Sequence, residues 1–158
     1  MSTTINLSDL IVAVIEDDTE YNIPLTGFLT RKFRRVYSFF DLDEAYRILV
    51  SQNAAKYINV YVIDVLLPLP QTFNLPPNTT DFTAGMEFHR YLEEKTENSI
   101  PAVFHTGALE DNEDLEDELN KYIMKNPNLL RCSVKLNDFE QVLATICSVL
   151  GDKDATEN

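Results

Sequence analysis

The sequence predicts a single α/β domain built around a parallel β-sheet. Short apolar runs rich in β-branched residues recur along the chain, and segments with helical periodicity fill the intervals between them. Such alternation is typical of βα units, whose strands run parallel. The chain has 158 residues, 44% of them hydrophobic, which is enough for one core and leaves little room for a second. We expect this domain over residues 10–151, with an N-terminal tail over 1–9 and a disordered tail over 152–158.

Five segments have the composition of strands. The first and third are almost wholly apolar, as expected of central strands that helices cover on both faces. The predicted strands are Leu10–Ile15, Val36–Phe40, Val60–Ile63, Ala102–His105 and Cys132–Val134.

Helical patterns occupy the intervals between these strands. The first contains Pro24, which a helix tolerates in its first turn, so we expect this helix to begin near Asn22. After a proline-rich loop over residues 68–84, a helix is predicted over Gly85–Leu92. Its candidate packing residues are Met86, Phe88, His89 and Leu92.

Two helices carry capping signals. Asp41 followed by Glu44 has the spacing of an N-terminal capping interaction, and Asn137 followed by Glu140 repeats it before the last helix. Gly151 stands where that last helix needs a C-terminal cap. These signals predict the beginnings of two helices and the end of one.

Composition excludes several classes of function. The formal net charge of −13 disfavours direct binding to nucleic acid or to anionic membranes, because both are negatively charged. No apolar run approaches the roughly 20 residues that span a bilayer, and the N-terminus does not resemble a signal peptide. We therefore expect a cytoplasmic protein whose partner is another protein or a small phosphodonor.

Charged clusters and cysteines have ordinary interpretations. The acidic stretch over residues 110–118 and the basic residues Arg31, Lys32, Arg34 and Arg35 are most simply solvated surface. Cys132 and Cys147 lack metal-binding spacing, so buried thiols are expected.

Polar residues follow four of the predicted strands, where an open parallel sheet binds ligands. An acidic run over 16–18 follows the first strand, Asp64 the third, Thr106 the fourth and Lys135 the fifth. Singly, each has a simpler interpretation as a helix cap, a turn residue or surface. Together, converging carboxylates favour a Mg²⁺ ion, while a lysine and a hydroxyl can bind phosphoryl oxygens.

At these positions the sequence resembles the receiver domain of two-component response regulators, over residues 10–150. The segments that carry the resemblance are IVAVIEDD, YVIDVLLP, VFHTGA and CSVKL. It implies a flavodoxin-like, doubly wound sheet of five parallel strands in the order 2-1-3-4-5, flanked by five helices. It also implies a stand-alone phosphoacceptor domain that signals by contact with an unknown downstream protein.

The resemblance assigns a role to each site residue. It implies phosphoryl transfer from a histidine kinase or phosphotransfer protein onto Asp64, with Thr106 as the switch hydroxyl and Lys135 as the residue that pairs with Asp64 and then with the phosphoryl group. Asp18 is expected to be solvated. The implied Mg²⁺ ligands are Glu16, Asp17, Asp64 and the backbone carbonyl of Leu66.

The chain departs from the family pattern in three places. The loop over 68–84 is about a dozen residues longer than usual, and it is equally compatible with a lid, a docking loop or an ornament. Leu136 replaces the usual proline after the lysine, so we expect a trans peptide bond there. Cys132 replaces the usual aromatic residue. His105 is a possible substitute, although a strand histidine satisfied by local hydrogen bonds is the simpler interpretation.

Two other functions stay open. One is an atypical receiver that acts as a docking module without phosphorylation. The other is a Mg²⁺-dependent phosphohydrolase, but the DVLL segment after the third strand offers no second acid for general acid/base work. We therefore predict a protein that is not an enzyme beyond phosphorylation and dephosphorylation of its own Asp64. The sequence does not identify the kinase, the target or the oligomeric state.

Overall fold

The computed structural model describes residues 5–105, 113–132 and 138–151. In this part of the chain, five strands alternate with five α-helices. The strands are β1 (Ile11–Ile15), β2 (Arg35–Phe39), β3 (Val60–Asp64), β4 (Ala102–His105) and β5 (Leu129–Cys132). The helices are α1 (Thr19–Thr30), α2 (Leu42–Tyr46), α3 (Ala84–Thr96), α4 (Glu113–Met124) and α5 (Phe139–Val149).

The strands form one parallel sheet in the order β2-β1-β3-β4-β5, which confirms the predicted fold class. β3 lies at the centre and is buried along its whole length. The register pairs Asp64 with His105 and His105 with Cys132. The carboxyl ends of β3, β4 and β5 therefore meet at the same edge of the sheet.

Helices cover both faces of the sheet, so side chains that alternate along each strand enter two separate cores. On one face, Ile63 and Phe104 pack in a cluster with residues of α2, α3 and α4. On the other face, Val62 and Val103 pack with residues of α1 and α5. Because both faces of the sheet are covered, β1 and β3 lack the alternation of apolar and polar residues that a half-exposed strand shows.

The fifth strand lies earlier in the chain than predicted. It begins at Leu129, whereas the prediction began at Cys132. Arg131 interrupts the apolar run and so concealed the strand. The half-buried Arg131 is accommodated because its guanidinium reaches Glu116 on α4, at 2.8 Å.

The first helix also begins earlier than predicted, at Thr19 instead of near Asn22. The side chain of Asp18 caps it by accepting a hydrogen bond from the Glu20 N–H at 3.0 Å. Asp18 is thus exposed, as expected, but also has a structural role. Pro24 lies inside the helix, because the cap and not the proline determines where the helix begins.

The other helix signals were largely right. Asp41 caps α2 by accepting from the Glu44 N–H at 2.7 Å. The cap of α5 is Asp138, which accepts from the Gln141 N–H at 3.2 Å, one position later than the predicted Asn137. Asn137 itself lies outside the described residues. Gly151 has φ = +89°, the left-handed conformation that a glycine cap adopts easily.

The predicted helix after the proline-rich loop is present and extends to Thr96. The four residues proposed to pack are all buried. They are Met86, Phe88, His89 and Leu92. In the described part of the acidic stretch, residues 113–118 form the first turns of α4 and are mostly exposed, and the four basic residues near the end of α1 are exposed. Cys147 is buried in α5.

The long loop over 68–84 is attached to α2 and α3. The Asp43 carboxylate on α2 accepts hydrogen bonds from the backbone N–H groups of Gln71 and Thr72 and from the Thr72 hydroxyl, at 2.6–3.1 Å. The Phe73 ring stacks on Tyr46 of α2, with centroids 4.5 Å apart, and its centroid lies 5.8 Å and 5.5 Å from those of Phe88 and Tyr91 on α3. These contacts place the middle of the loop on the flank of the domain, against helices.

No helix among the described residues is long and apolar enough to cross a membrane.

Candidate functional site

Three carboxylates meet at the carboxyl edge of the sheet. Glu16 and Asp17 follow β1, and Asp64 ends the adjacent strand β3. One ligand atom from each lies within 4.8 Å of the others. Glu16 and Asp64 are 1% and 2% exposed, whereas Asp17 is open to solvent. The structure therefore brings together three of the residues that the sequence singled out.

The turn after β1 is held against the neighbouring strand. The Glu16 N–H donates to the carbonyl of Phe39, the last residue of β2, at 3.0 Å. The Glu16 carboxylate folds back, and its Oε1 accepts from the Asp18 N–H at 3.3 Å. The side chain of Glu16 is thus turned inward, while the next residue, Asp17, faces solvent.

Asp64 sits where β3 leaves the sheet. Its Oδ1 accepts from the N–H of Leu66 at 3.1 Å, which restricts rotation of the carboxylate. The following residue, Val65, donates its N–H to the carbonyl of His105 at 3.2 Å. Asp64 is therefore a buried acid on a rigid central strand, and half-buried Leu66 lies in the turn beside it.

Gly85, in the first turn of α3, packs directly against the backbone of Asp64. Its N–H donates to the carbonyl of Val65 at 3.2 Å. A Cβ at this position would collide with the Asp64 carbonyl oxygen and lie 2.8 Å from the Val65 Cα. This role of Gly85 was not predicted, although a glycine at the start of a helix just after a long loop was a usable signal.

Thr106, Lys135 and Leu136 lie outside the described residues, so their predicted roles and the trans peptide bond stay predictions. Their described neighbours are His105 and Cys132, which occupy paired positions beside Asp64. Thr106 follows the first of these directly, and Lys135 comes three residues after the second.

His105 has local contacts, in line with the simpler of its two interpretations. It is 1% exposed, and its Nδ1 lies 3.4 Å from the hydroxyl of Tyr21 on α1. The two rings meet edge to face, with centroids 5.4 Å apart. The Tyr21 ring also meets the ring of Phe139, the first residue of α5, with centroids 5.9 Å apart.

His89, for which the sequence offered no partner, connects α3 to α4 and to β4. Its Nε2 donates to the carbonyl of Ile100 at 2.8 Å, so its Nδ1 accepts from the Tyr122 hydroxyl at 2.6 Å. Burial lowers the pKa of His89, against smaller raising effects of Ile100 and the nearby Glu93. His89 is therefore a neutral structural residue, and its backbone partner Ile100 lies just before the amino end of β4.

The donor set of the acidic cluster fits a hard divalent cation. Mg²⁺ prefers one or two carboxylates and keeps several waters, which matches two inward-facing acids and a third open to solvent. Three carboxylates this close also repel one another, and a cation relieves that repulsion. Glu16, Asp17 and Asp64 are thus able to hold Mg²⁺.

No protein-family model and no curated protein matches the sequence. Solved structures do match, and several are response regulator receiver domains. One, a receiver protein from Sinorhizobium medicae, has a TM-score of 0.63 at 19% identity, with 92% of this chain and 97% of that chain covered. A receiver domain from Clostridium thermocellum gives 0.61 at 17% identity, covering 93% and 98%.

A third neighbour is a BeF3-activated DrrB receiver domain, with a TM-score of 0.59 at 21% identity over 90% of this chain and 98% of that chain. The similarity extends over most of the length of all three neighbours, and the strand order of this chain is the one expected for the fold. The chain therefore has the receiver fold of response regulators.

Proposed function

We propose that this protein is a phosphoacceptor domain of a two-component system, which takes a phosphoryl group onto Asp64 in the presence of Mg²⁺. The observation that supports the proposal best is the meeting of Glu16, Asp17 and Asp64 within 4.8 Å at the carboxyl edge of the sheet. In an open α/β sheet, this edge is the usual location of a ligand site.

The proposed reaction uses Asp64 as the nucleophile. A carboxylate oxygen forms a bond to phosphorus while the bond from phosphorus to the donor breaks, and the donor leaves with the electron pair of that bond. The N–H of Leu66 holds the carboxylate in one orientation, because it donates to Oδ1 at 3.1 Å. Bound Mg²⁺ would balance the negative charge on the phosphoryl oxygens.

The roles of the other site residues and of the partners are proposed from the sequence. Thr106 and Lys135 follow β4 and β5, and we propose that they contact the phosphoryl oxygens as hydroxyl donor and ammonium group. Leu66 is proposed to offer its carbonyl as a further metal ligand. The donor is proposed to be a histidine kinase or a phosphotransfer protein, and the output a contact with a downstream protein in the cytoplasm. No turnover of external substrates is expected.

Intact-mass spectrometry after incubation with acetyl phosphate tests the proposal. We expect one phosphoryl adduct that needs Mg²⁺ and that disappears in Asp64→Ala. Asp81→Ala serves as the matched control, since this exposed acid in the long loop lies outside the cluster and the variant should retain the adduct. An adduct that survives in Asp64→Ala would contradict the assignment of the nucleophile.

A second candidate is a docking module that needs no phosphorylation. The anchored loop favours it, because Leu69 and Phe82 expose 44% and 45% of their surface on a segment attached at its middle to α2 and α3. A contiguous exposed apolar patch marks a site of protein contact, and in this candidate function the two side chains belong to such a patch. The absence of any adduct, together with measurable Mg²⁺ binding, would favour this candidate.

A further inference from the structure

A buried amide on α1 is bonded to the turn that carries the acidic pair. Asn22 is fully buried, with 0% of its surface exposed, and its side chain is directed at the carboxyl ends of β1 and β2. In the sequence, Asn22 stood out only as the expected start of the first helix, because a single asparagine in a helical segment does not indicate a site.

Both amide protons of Asn22 are donated to backbone carbonyl oxygens. Nδ2 donates to the carbonyl of Glu16 at 2.8 Å and to the carbonyl of Phe39 at 3.2 Å. The Phe39 carbonyl also accepts the Glu16 N–H at 3.0 Å. The ends of β1 and β2 are thus held to each other and to α1 by one side chain.

The amide oxygen of Asn22 is also fully used. Oδ1 accepts from the hydroxyl of Ser38 on β2 at 2.6 Å and from the hydroxyl of Thr26 on α1 at 2.8 Å. An asparagine side chain offers two donors and two acceptor sites, and here all four are occupied. The orientation of the amide is therefore fixed, since a flipped amide would place its oxygen against the carbonyl oxygens of Glu16 and Phe39, which cannot donate.

The carbonyl that Asn22 holds belongs to the peptide bond joining Glu16 to Asp17. Rotation of this peptide plane would swing both acidic side chains relative to Asp64. We propose that Asn22 is a positioning residue for the metal site: its amide fixes the Glu16–Asp17 peptide and so keeps the two acids in a geometry that binds Mg²⁺. The inference rests on the Mg²⁺ site of the proposed function and identifies a residue that tunes it.

The test compares Mg²⁺ affinity in Asn22→Leu and in the parent protein. Leucine has nearly the shape of asparagine and no charge, so the variant removes all four hydrogen bonds of the amide, including the one to the Glu16 carbonyl, without changing the net charge of the site. The Mg²⁺ dependence of the melting temperature, converted to free energy with the enthalpy of unfolding, gives the Kd near that temperature, because only folded protein offers the assembled site. We expect Kd to rise about tenfold, as for other groups that orient metal ligands.

Ser38→Ala is the matched control. It removes one hydroxyl from the same buried network, but Thr26 still orients the amide, so the bond to the Glu16 carbonyl is retained. We expect its Kd to stay within twofold of the parent value even where its melting temperature is lower. Asn22→Ala is evaluated in the same way and replaces the leucine variant if that variant does not fold.

Two results would overturn the inference. One is a folded Asn22 variant whose Kd for Mg²⁺ is within twofold of the parent value. The other is a rise in Kd for Ser38→Ala as large as that for Asn22→Leu. In that case the hydrogen bonds around Asn22 would affect Mg²⁺ binding only by stabilising the fold. Failure of the proposed function has a different signature: the parent protein binds Mg²⁺ but forms no phosphoryl adduct.

Discussion

Replacing Gly85 with alanine tests how tightly α3 is packed against the end of β3. The new Cβ would collide with the carbonyl oxygen of Asp64 and approach the Val65 Cα to 2.8 Å and the Asp64 carbonyl carbon to 3.0 Å. All three atoms are backbone atoms of the buried residues Asp64 and Val65, so no flexible side chain can move aside. We expect α3 and the end of β3 to be forced apart.

The expected change in the free energy of unfolding is the difference between two opposing effects. Overpacking of this kind typically costs about 1–3 kcal/mol, and contact with backbone places Gly85→Ala near the upper end. Alanine improves helix propensity by at most about 1 kcal/mol. The free energy of unfolding should therefore fall by about 2–3 kcal/mol, which corresponds to roughly 4–12 °C in melting temperature for a chain of this size.

Gly27→Ala provides the matched control. Gly27 lies in the exposed part of α1, and nothing comes within 4 Å of a Cβ placed there. The same substitution should raise the melting temperature there, because only the propensity gain of about 0.5–1 kcal/mol remains. Thermal unfolding of both variants, with the acetyl phosphate assay on each, gives the comparison. A Gly85→Ala protein as stable as the parent would refute the packing argument.

Three further predictions concern the inserted loop and the buried histidine. In Asp43→Ala, loss of the hydrogen bonds from Gln71 and Thr72 should weaken anchoring of the loop by about 1 kcal/mol; limited proteolysis should cleave the loop faster, and unchanged cleavage would contradict this. Phe73→Ala should lower the free energy of unfolding by about 2–3 kcal/mol, because the ring packs against the main core; denaturant unfolding measures it, and a loss under 0.5 kcal/mol would show that the stack is dispensable. Burial lowers the folded-state pKa of His89, so below about pH 6.5 the unfolded chain binds more protons at this residue than the folded protein does. The free energy of unfolding should therefore fall as the pH decreases from about 6.5. A His89→Gln variant should show a flatter pH dependence, and a slope equal to that of the parent would exclude this histidine as its source.

Much of the fold could be predicted because its determinants are local. The apolar runs of β1 and β3 are continuous, since helices cover both faces of the sheet. The capping pair Asp41 and Glu44 placed α2 correctly for the same reason: a cap depends on residues three positions apart. The errors arose where an element depends on a residue far away in the sequence. At β5, Arg131 can lie in a strand because its guanidinium forms an ion pair with Glu116 on α4.

The order of the elements and the acids that follow each strand could be read from the chain, since both depend on neighbouring residues. The burial of Glu16 and Asp64 beside an open Asp17, the contact of Gly85 with Asp64, and the hydrogen bonds of Asn22 to the ends of β1 and β2 became visible only once the chain was folded. The physical reason is that these properties depend on close packing and hydrogen bonds between segments far apart in sequence. Periodicity and composition describe one segment at a time, and they do not encode which atoms of another segment it will contact.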